Sequence, residues 1–388
     1  MLSAPVPRAL AAALAAVALA TAIGLVLLWP RGEEPASAEG VGVPLETVTA
    51  EVASVLPTPC RVPGAGGCRR VEAEIVDGPR EGETAELTIG DQGDDIELEV
   101  GDRIRIAENE LPEGANIGGV EVDRWLFADF ERRMPLLWLA LLFAVFVVVA
   151  AGMRGLRALV GLAATLGVLV LFVVPAILDG TSPVAVALVG ALAAMLLTIP
   201  LTHGLGPKTV AACLGTTIAL GLTLVLATVF TELTHLTGLA SEEASYLRVT
   251  GQDLSLQGLV LAGMVIGALG VLDDLTVSQA STVMALRRAN PEQPFRTLFS
   301  RGVSVGHDHV AALVNTLVLA YAGASLPLLL LFSVGDTPFG DAVNNEAVAS
   351  EIVATLVGSI GLVAAVPVTT ALAALLAPYS RERDTHVH

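Results

Sequence analysis

The sequence predicts a polytopic α-helical membrane protein of about eight transmembrane helices, carrying a small β-rich, OB-like barrel domain outside the cytosol. Three observations predict it. Hydrophobic residues make up 54% of the 388, and the mean hydropathy is +0.71, more apolar surface than one water-exposed domain of this length buries. The apolar residues are gathered into long runs, while the acidic residues concentrate in one stretch near the N-terminus. Arginine recurs in alternate short connections between the runs, as in a chain threaded back and forth across a bilayer.

Eight apolar segments are long enough, or nearly so, to cross about 30 Å of hydrocarbon. They cover residues 9–28, 135–151, 158–178, 184–201, 210–230, 256–272, 310–333 and 352–377. The first reads as an uncleaved anchor spanning residues 1–30. A signal peptide is the other reading, because Ala36-Ser37-Ala38 offers a small-x-small cleavage pattern, but the run is longer than the usual apolar region and the site lies well past its end.

Arg8, the pair Arg154 and Arg157, Lys208, the group Arg287, Arg288, Arg296 and Arg301, and the terminal Arg381 and Arg383 all fall on one side if the N-terminus is cytosolic. The short outer connections then contain only Arg248. Both chain ends are expected inside, with residues 31–133 outside and residues 134–388 forming a seven-helix core.

Residues 31–133 hold 24 acidic side chains against 10 arginines, and so carry −14 of the chain's net −18. That balance excludes nucleic acid as a partner, since no basic patch is present to neutralise phosphates. Alternating runs predict strands at residues 46–55, 70–76, 85–89, 96–100 and 103–106, separated by turn-like pieces such as DGPREGE and GDQGDD. Five short strands in that space suggest a small barrel of residues 46–108 on a tether of residues 31–45. The acidic surface reads either as a solubility device or as a weak collector of cations. Cys60 and Cys68 bracket CRVPGAGGC and are candidates for a local disulfide outside the cytosol. Cys213 lies in an apolar run and reads as a small buried hydrophobe.

Polar side chains at membrane depth are costly and so mark candidate sites. The densest cluster is GMVIGALGVLDDLTVSQASTV, residues 263–283. Gly263, Gly267 and Gly270 offer close approach to another helix, within the chain or in a homo-oligomer. Asp273 and Asp274 follow, then Thr276, Ser278 and Gln279. The two carboxylates either bind a proton or cation, or mark the exit of the helix into the cytosol, or cap the next helix. Further on, His307 and His309 flank Asp308. They are weak metal candidates, because histidines two apart do not share a helical face, and Asp308 has the alternative role of an N-cap. Asn315 and Tyr321 lie deeper in the same run, with Asn315 placed to hydrogen-bond across the bundle. Pro200, Pro327 and Pro367 interrupt helices, and Thr369 and Thr370 can satisfy the backbone freed by Pro367.

At GALGVLDDLTVSQAS (267–281), HDHVAALVNTLVLAYAGASLPLLL (307–330) and GSIGLVAAVPVTTALAALL (358–376) the chain resembles the YibE/F family of bacterial membrane proteins. The resemblance implies an N-terminal anchor, a β-rich outer domain and a multi-span core in a bacterial plasma membrane. His307 departs from the arginine expected there. The resemblance supplies no substrate.

The function expected first is a transporter or permease for a small solute or ion, coupled to protons or cations through Asp273 and Asp274. Asn315, Tyr321, Thr369 and Thr370 would line its path. The alternative is a non-transporting assembly or signalling protein whose outer domain binds an envelope partner. No Walker A loop, GxSxG, HExxH or GxGD pattern is present, so neither an enzyme nor a cofactor is expected.

Overall fold

The computed structural model describes residues 7–32, 47–60, 67–90, 96–109, 116–117, 120–121, 123–240 and 254–380. The tether, the Ala36–Ala38 pattern, Arg248, Arg381 and Arg383 lie outside them. The chain divides into two compact units, Ala36–Phe146 and Met1–Pro35 with Val147–His388.

The first unit is built on a five-stranded antiparallel sheet curled into a half-barrel. Its strands are β1 (Thr47–Pro57), β2 (Arg69–Ile75), β3 (Thr84–Ile89), β4 (Arg103–Glu108) and β7 (Trp125–Phe130), in the order β3-β2-β1-β4-β7. A separate two-residue pair comprises β5 (Asn116–Ile117) and β6 (Val120–Glu121). The pattern is the period of two that a half-buried strand requires. Val71, Ala73 and Ile75 of β2 face inward, opposite Ala85, Leu87 and Ile89 of β3, while Arg70, Glu72 and Glu74 face out. Irregularities between Val52 and Ser54 and between Arg105 and Ile106 add local twist. The sheet curls far enough for the Thr88 amide of β3 to donate to Asp123, just before β7, at 2.8 Å. The disulfide Cys60–Cys68 closes the β1–β2 connection.

Two strand expectations are corrected. Residues 96–100 form no strand: Leu98 is buried, but the backbone turns at Val100–Gly101, and Gly101 and Asp102 bond to β1 at Val52 instead. The aromatic segment Trp125–Phe130 is a strand that the alternation rule missed.

The second unit is helical. Its elements are α1 (Arg8–Leu27), α2 (Arg133–Val168, which begins in the first unit), a π turn (Leu169–Val173), α3 (Val174–Leu178), α4 (Pro183–His203), α5 (Pro207–Leu233), α6 (Leu256–Ala289), α7 (Phe295–Ala324), α8 (Leu326–Val334), α9 (Phe339–Asn344) and α10 (Glu346–Leu376). Seven helical stretches among the described residues are long and apolar enough to cross a membrane, against the eight segments expected. One of them, Arg133–Leu178, has 46 residues, about twice what one crossing needs. It is broken at Gly152, whose φ of 58° and ψ of −135° only glycine adopts without strain. Beyond the break Gly155 lies against the Val147 carbonyl, so the chain bends sharply between the segments expected at 135–151 and 158–178.

Two further expectations are corrected. The sixth segment does not end near Leu272. Helix α6 runs on to Ala289, because Leu272, Leu275, Ala280 and Val283 keep an apolar face buried past the aspartates. Asp273 and Asp274 are therefore mid-helix and cap no helix. Helix α7 starts at Phe295, so Asp308 is interior to a helix and not its N-cap. Pro327 does interrupt its span, which stops at Ser325 and restarts as α8.

The tightest pairing joins α5 to α10. Gly215 of α5 seats the Thr369 side chain, and Gly361 of α10 seats Thr223. Helix α6 packs on α4, α5 and α10, and α7 rests on α6 and α10.

A carboxylate cluster holds one edge of the half-barrel. Asp77 accepts from the Thr49 amide at 2.6 Å and the Thr49 hydroxyl at 2.9 Å, and with Arg105 nearby its carboxyl is held below the usual range. Glu131 accepts from the Arg133 amide at 2.9 Å, pairs with Arg105 at 3.5 Å, and is lowered likewise. Groups with depressed folded values stabilise above their unfolded value, about 4, and lose that contribution as pH falls. Hydrogen-exchange protection of β1 amides, corrected for intrinsic rates, should therefore drop on acidification below about pH 4. Asp77→Asn should flatten that drop while lowering protection at neutral pH.

Candidate functional site

Helix α6 aims three polar side chains at three different neighbours. Asp273, Thr276 and Gln279 are three residues apart, so each is rotated about 60° from the one before. Asp273 points toward α4 and the later part of α2, Thr276 toward α5, and Gln279 toward α7 and α10.

Asp273 lines a cleft of about 330 Å³ whose walls include Gly161 and Thr165 of α2, Thr198, Thr202 and His203 of α4, and Asp274 of α6. Asp273 is half-buried and Asp274 exposed. The Asp273 Oδ1 oxygen is buried with no hydrogen-bond partner. The threonines of α4 turn their hydroxyl protons to their own helix, Thr198 to the Ala194 carbonyl at 2.9 Å and Thr202 to the Thr198 carbonyl at 2.7 Å, leaving lone pairs for the cleft. At its edge His203 Nδ1 and Lys208 Nζ are 3.1 Å apart.

Deeper in, the Thr276 and Thr216 hydroxyls meet at 2.6 Å, both fully buried. One turn on, the fully buried Gln279 donates from Nε2 to the Gly302 carbonyl of α7 at 2.7 Å and to Thr370 Oγ1 of α10 at 2.6 Å. Thr370 passes its own proton to the Val366 carbonyl at 2.6 Å, not to the Val363 carbonyl that Pro367 leaves without an amide donor, so the expected satisfaction of that break by Thr369 and Thr370 is not what the structure shows. Gln279 Oε1 faces Gly306 and has no donor. A side chain at Gly302 or Gly306 would collide with this amide, Thr370 or Val366. The buried Thr369 hydroxyl, also without a partner, lies against Gly215.

The structure thus brings Asp273, Thr276, Gln279, Thr369 and Thr370 into one polar seam. Ser278 is half-buried on another face of α6. Tyr321 reaches α6, its hydroxyl over Gly267, whereas nothing lies against Gly263 or Gly270. Asn315 is exposed on α7 and does not face α6. His307, Asp308 and His309 are exposed on the same regular helix, the histidines on nearly opposite sides. Among the described residues no three His, Cys, Asp or Glu side chains converge on a metal position. Sequence reasoning missed Thr216, Thr198, Thr202 and His203, which sit in ordinary-looking apolar runs. It also missed Gly302 and Gly306, although their G-x-x-x-G spacing marks a close helix contact.

Gln279→Ala removes two buried hydrogen bonds and opens a void between α6 and α7. It should lower stability by about 2–4 kcal/mol, read as a shift in a detergent-based unfolding titration. The exposed Thr316→Ala should shift it by less than about 0.5 kcal/mol.

The family described as YibE/F-like protein matches residues 139–379, well over half of the chain. Comparison with curated proteins and with solved structures gave no match. The matched stretch contains the whole seam, from the α2 wall of the cleft to Thr370. This chain belongs to the YibE/F-like family.

Proposed function

We propose that this chain is a multi-pass membrane protein whose helical unit acts as a permease for a small solute or ion, with Asp273 as the group that takes up a proton or cation. The observation that carries the reading is the Asp273 carboxylate: mid-way along a 34-residue helix, on a cleft, with one oxygen buried and unpartnered. Such a group is costly in an apolar bundle unless it has a use. The Thr216–Thr276 hydroxyl pair and Gln279 extend the polarity from the cleft toward α7 and α10. Nothing in the seam resembles a catalytic set, and the reading is non-enzymatic.

The topology that suits this role has both ends in the cytosol and the half-barrel outside a bacterial plasma membrane. Arginines at the α6–α7 connection and the Cys60–Cys68 disulfide in the half-barrel support it. The cleft, edged by the C-terminus of α4, then opens toward the cytosol. The sheet order β3-β2-β1-β4-β7, with β3 drawn toward β7, supports reading the half-barrel as OB-like.

Proteoliposomes with trapped pyranine and valinomycin-clamped potentials test the role. Wild-type protein should pass protons, or couple proton movement to an imposed Na⁺, K⁺, Mg²⁺ or Mn²⁺ gradient. Asp273→Asn should reduce the flux at least about tenfold, the scale expected when a required ionisable group is lost, and Asp274→Asn less. Wild type, variant and empty vesicles behaving alike under every gradient would sink the permease reading and leave the non-transporting one.

A further inference from the structure

Helix α7 carries a second pattern that the seam does not use. Arg301, Ser304, Asp308, Ala311, Asn315, Val318 and Ala322 are spaced three and four residues apart in turn, a strict seven-residue repeat. All seven are exposed, while Gly302, Gly306 and Leu317 on the other side of the helix are buried. The stripe therefore faces away from the bundle. Arg301, Ser304, Asp308 and Asn315 make it partly polar, and Ala311, Val318 and Ala322 are apolar.

Its height in the bundle is set by contacts with α10. Gly306 lies against Val366, and Leu317 lies against Gly358. Asp308 and Asn315 fall between these two levels, within the middle third of α10 (Glu346–Leu376). A carboxylate and an amide at mid-height on the outer face of a membrane-embedded bundle cannot be left to lipid. They need a protein neighbour.

We propose that this stripe is the contact between two copies of the chain, related by a two-fold axis along the bundle. The inference rests on the membrane reading above. Two copies in one membrane orientation bring their α7 helices together in parallel and in register. In that arrangement each side chain at the Asp308 position enters a hole formed by Ser304, His307, Asp308 and Ala311 of the second copy. The imidazole and hydroxyl there are the complementary partners a carboxylate requires. An amide is both donor and acceptor, so Asn315 pairs with Asn315 of the second copy, a contact that fixes register. Ala311 and Ala322 allow the close backbone approach that such pairing needs. The contact lies on the opposite side of α7 from Gln279, so each copy keeps its own seam. The glycines of α6 do not supply this surface, since Tyr321 already covers Gly267.

Single cysteines test the contact in the full-length protein within membrane vesicles. The chain's own cysteines do not interfere, because Cys60 and Cys68 are bonded and Cys213 is buried. Under copper–phenanthroline oxidation, Ala311→Cys, Asn315→Cys, Val318→Cys and Ala322→Cys should give a band of doubled mass. Thr316→Cys and Ala320→Cys, on other exposed faces, should stay at least fivefold less cross-linked. Uniform cross-linking at all six positions, or none at the four stripe positions, would overturn the proposal. Alkaline carbonate extraction of the same vesicles separates the two readings. Release of the chain would refute membrane embedding itself, while retention without the periodic cross-links refutes only the paired α7 helices.

Discussion

The helical unit depends on how closely α5 and α10 approach. Gly215 receives Thr369 and, two turns away, Gly361 receives Thr223. The two contacts are eight residues apart on each helix and run in opposite directions, so the antiparallel pair stays in contact over about 12 Å. Small residues at such contacts let the two backbones approach closely. Helix α6 is then placed against both partners, through Thr276 to Thr216 and through Gln279 to Thr370. The direction in which Asp273 points follows from those two anchors.

The arrangement also explains how so many polar groups are tolerated in a small-residue core. Most buried hydroxyls spend their proton on their own helix, as Thr223 does on the Ala219 carbonyl and Thr370 on Val366. The exceptions are informative. Among the described residues of the helical unit, Asp273 Oδ1, Gln279 Oε1 and Thr369 Oγ1 of the seam have no partner, and neither do Thr231 Oγ1, Gln293 Oε1 and Ser359 Oγ outside it. Unsatisfied buried polar atoms are uncommon and call for an explanation. Within the seam, Gln279 and Thr369 lie where α5, α6, α7 and α10 meet, while Asp273 faces the cleft toward α4 and α2.

Much of this was legible in the sequence, for identifiable reasons. Long apolar runs fix where helices lie, and period-two alternation found β1 to β4. Helix ends were less legible. At Asp273–Asp274 a local charge suggested a boundary, but burial of Leu272, Leu275 and Val283 on the same helix outweighs it. The same effect carried α7 back to Phe295. Within the seam, Asp273, Gln279 and Thr370 stood out because they are polar among apolar neighbours. Thr198, Thr202 and Thr216 did not, since threonine is common in apolar helices and only the tertiary structure shows which ones face inward. Asn315 was legible as unusual but not as outward-facing, because rotational phase against neighbours is a property of packing.

Gly152 has a consequence of another kind. Nothing lies within 4 Å of where its β-carbon would be, so the position has ample room. Yet every amino acid that one base change can put in place of glycine carries a β-carbon, and a backbone at φ 58° and ψ −135° penalises all of them by about 1–3 kcal/mol. Exposure and mutational freedom are thus uncoupled at this residue. Genetic drift that passes easily through the neighbouring alanines and valines is stopped here by backbone geometry alone.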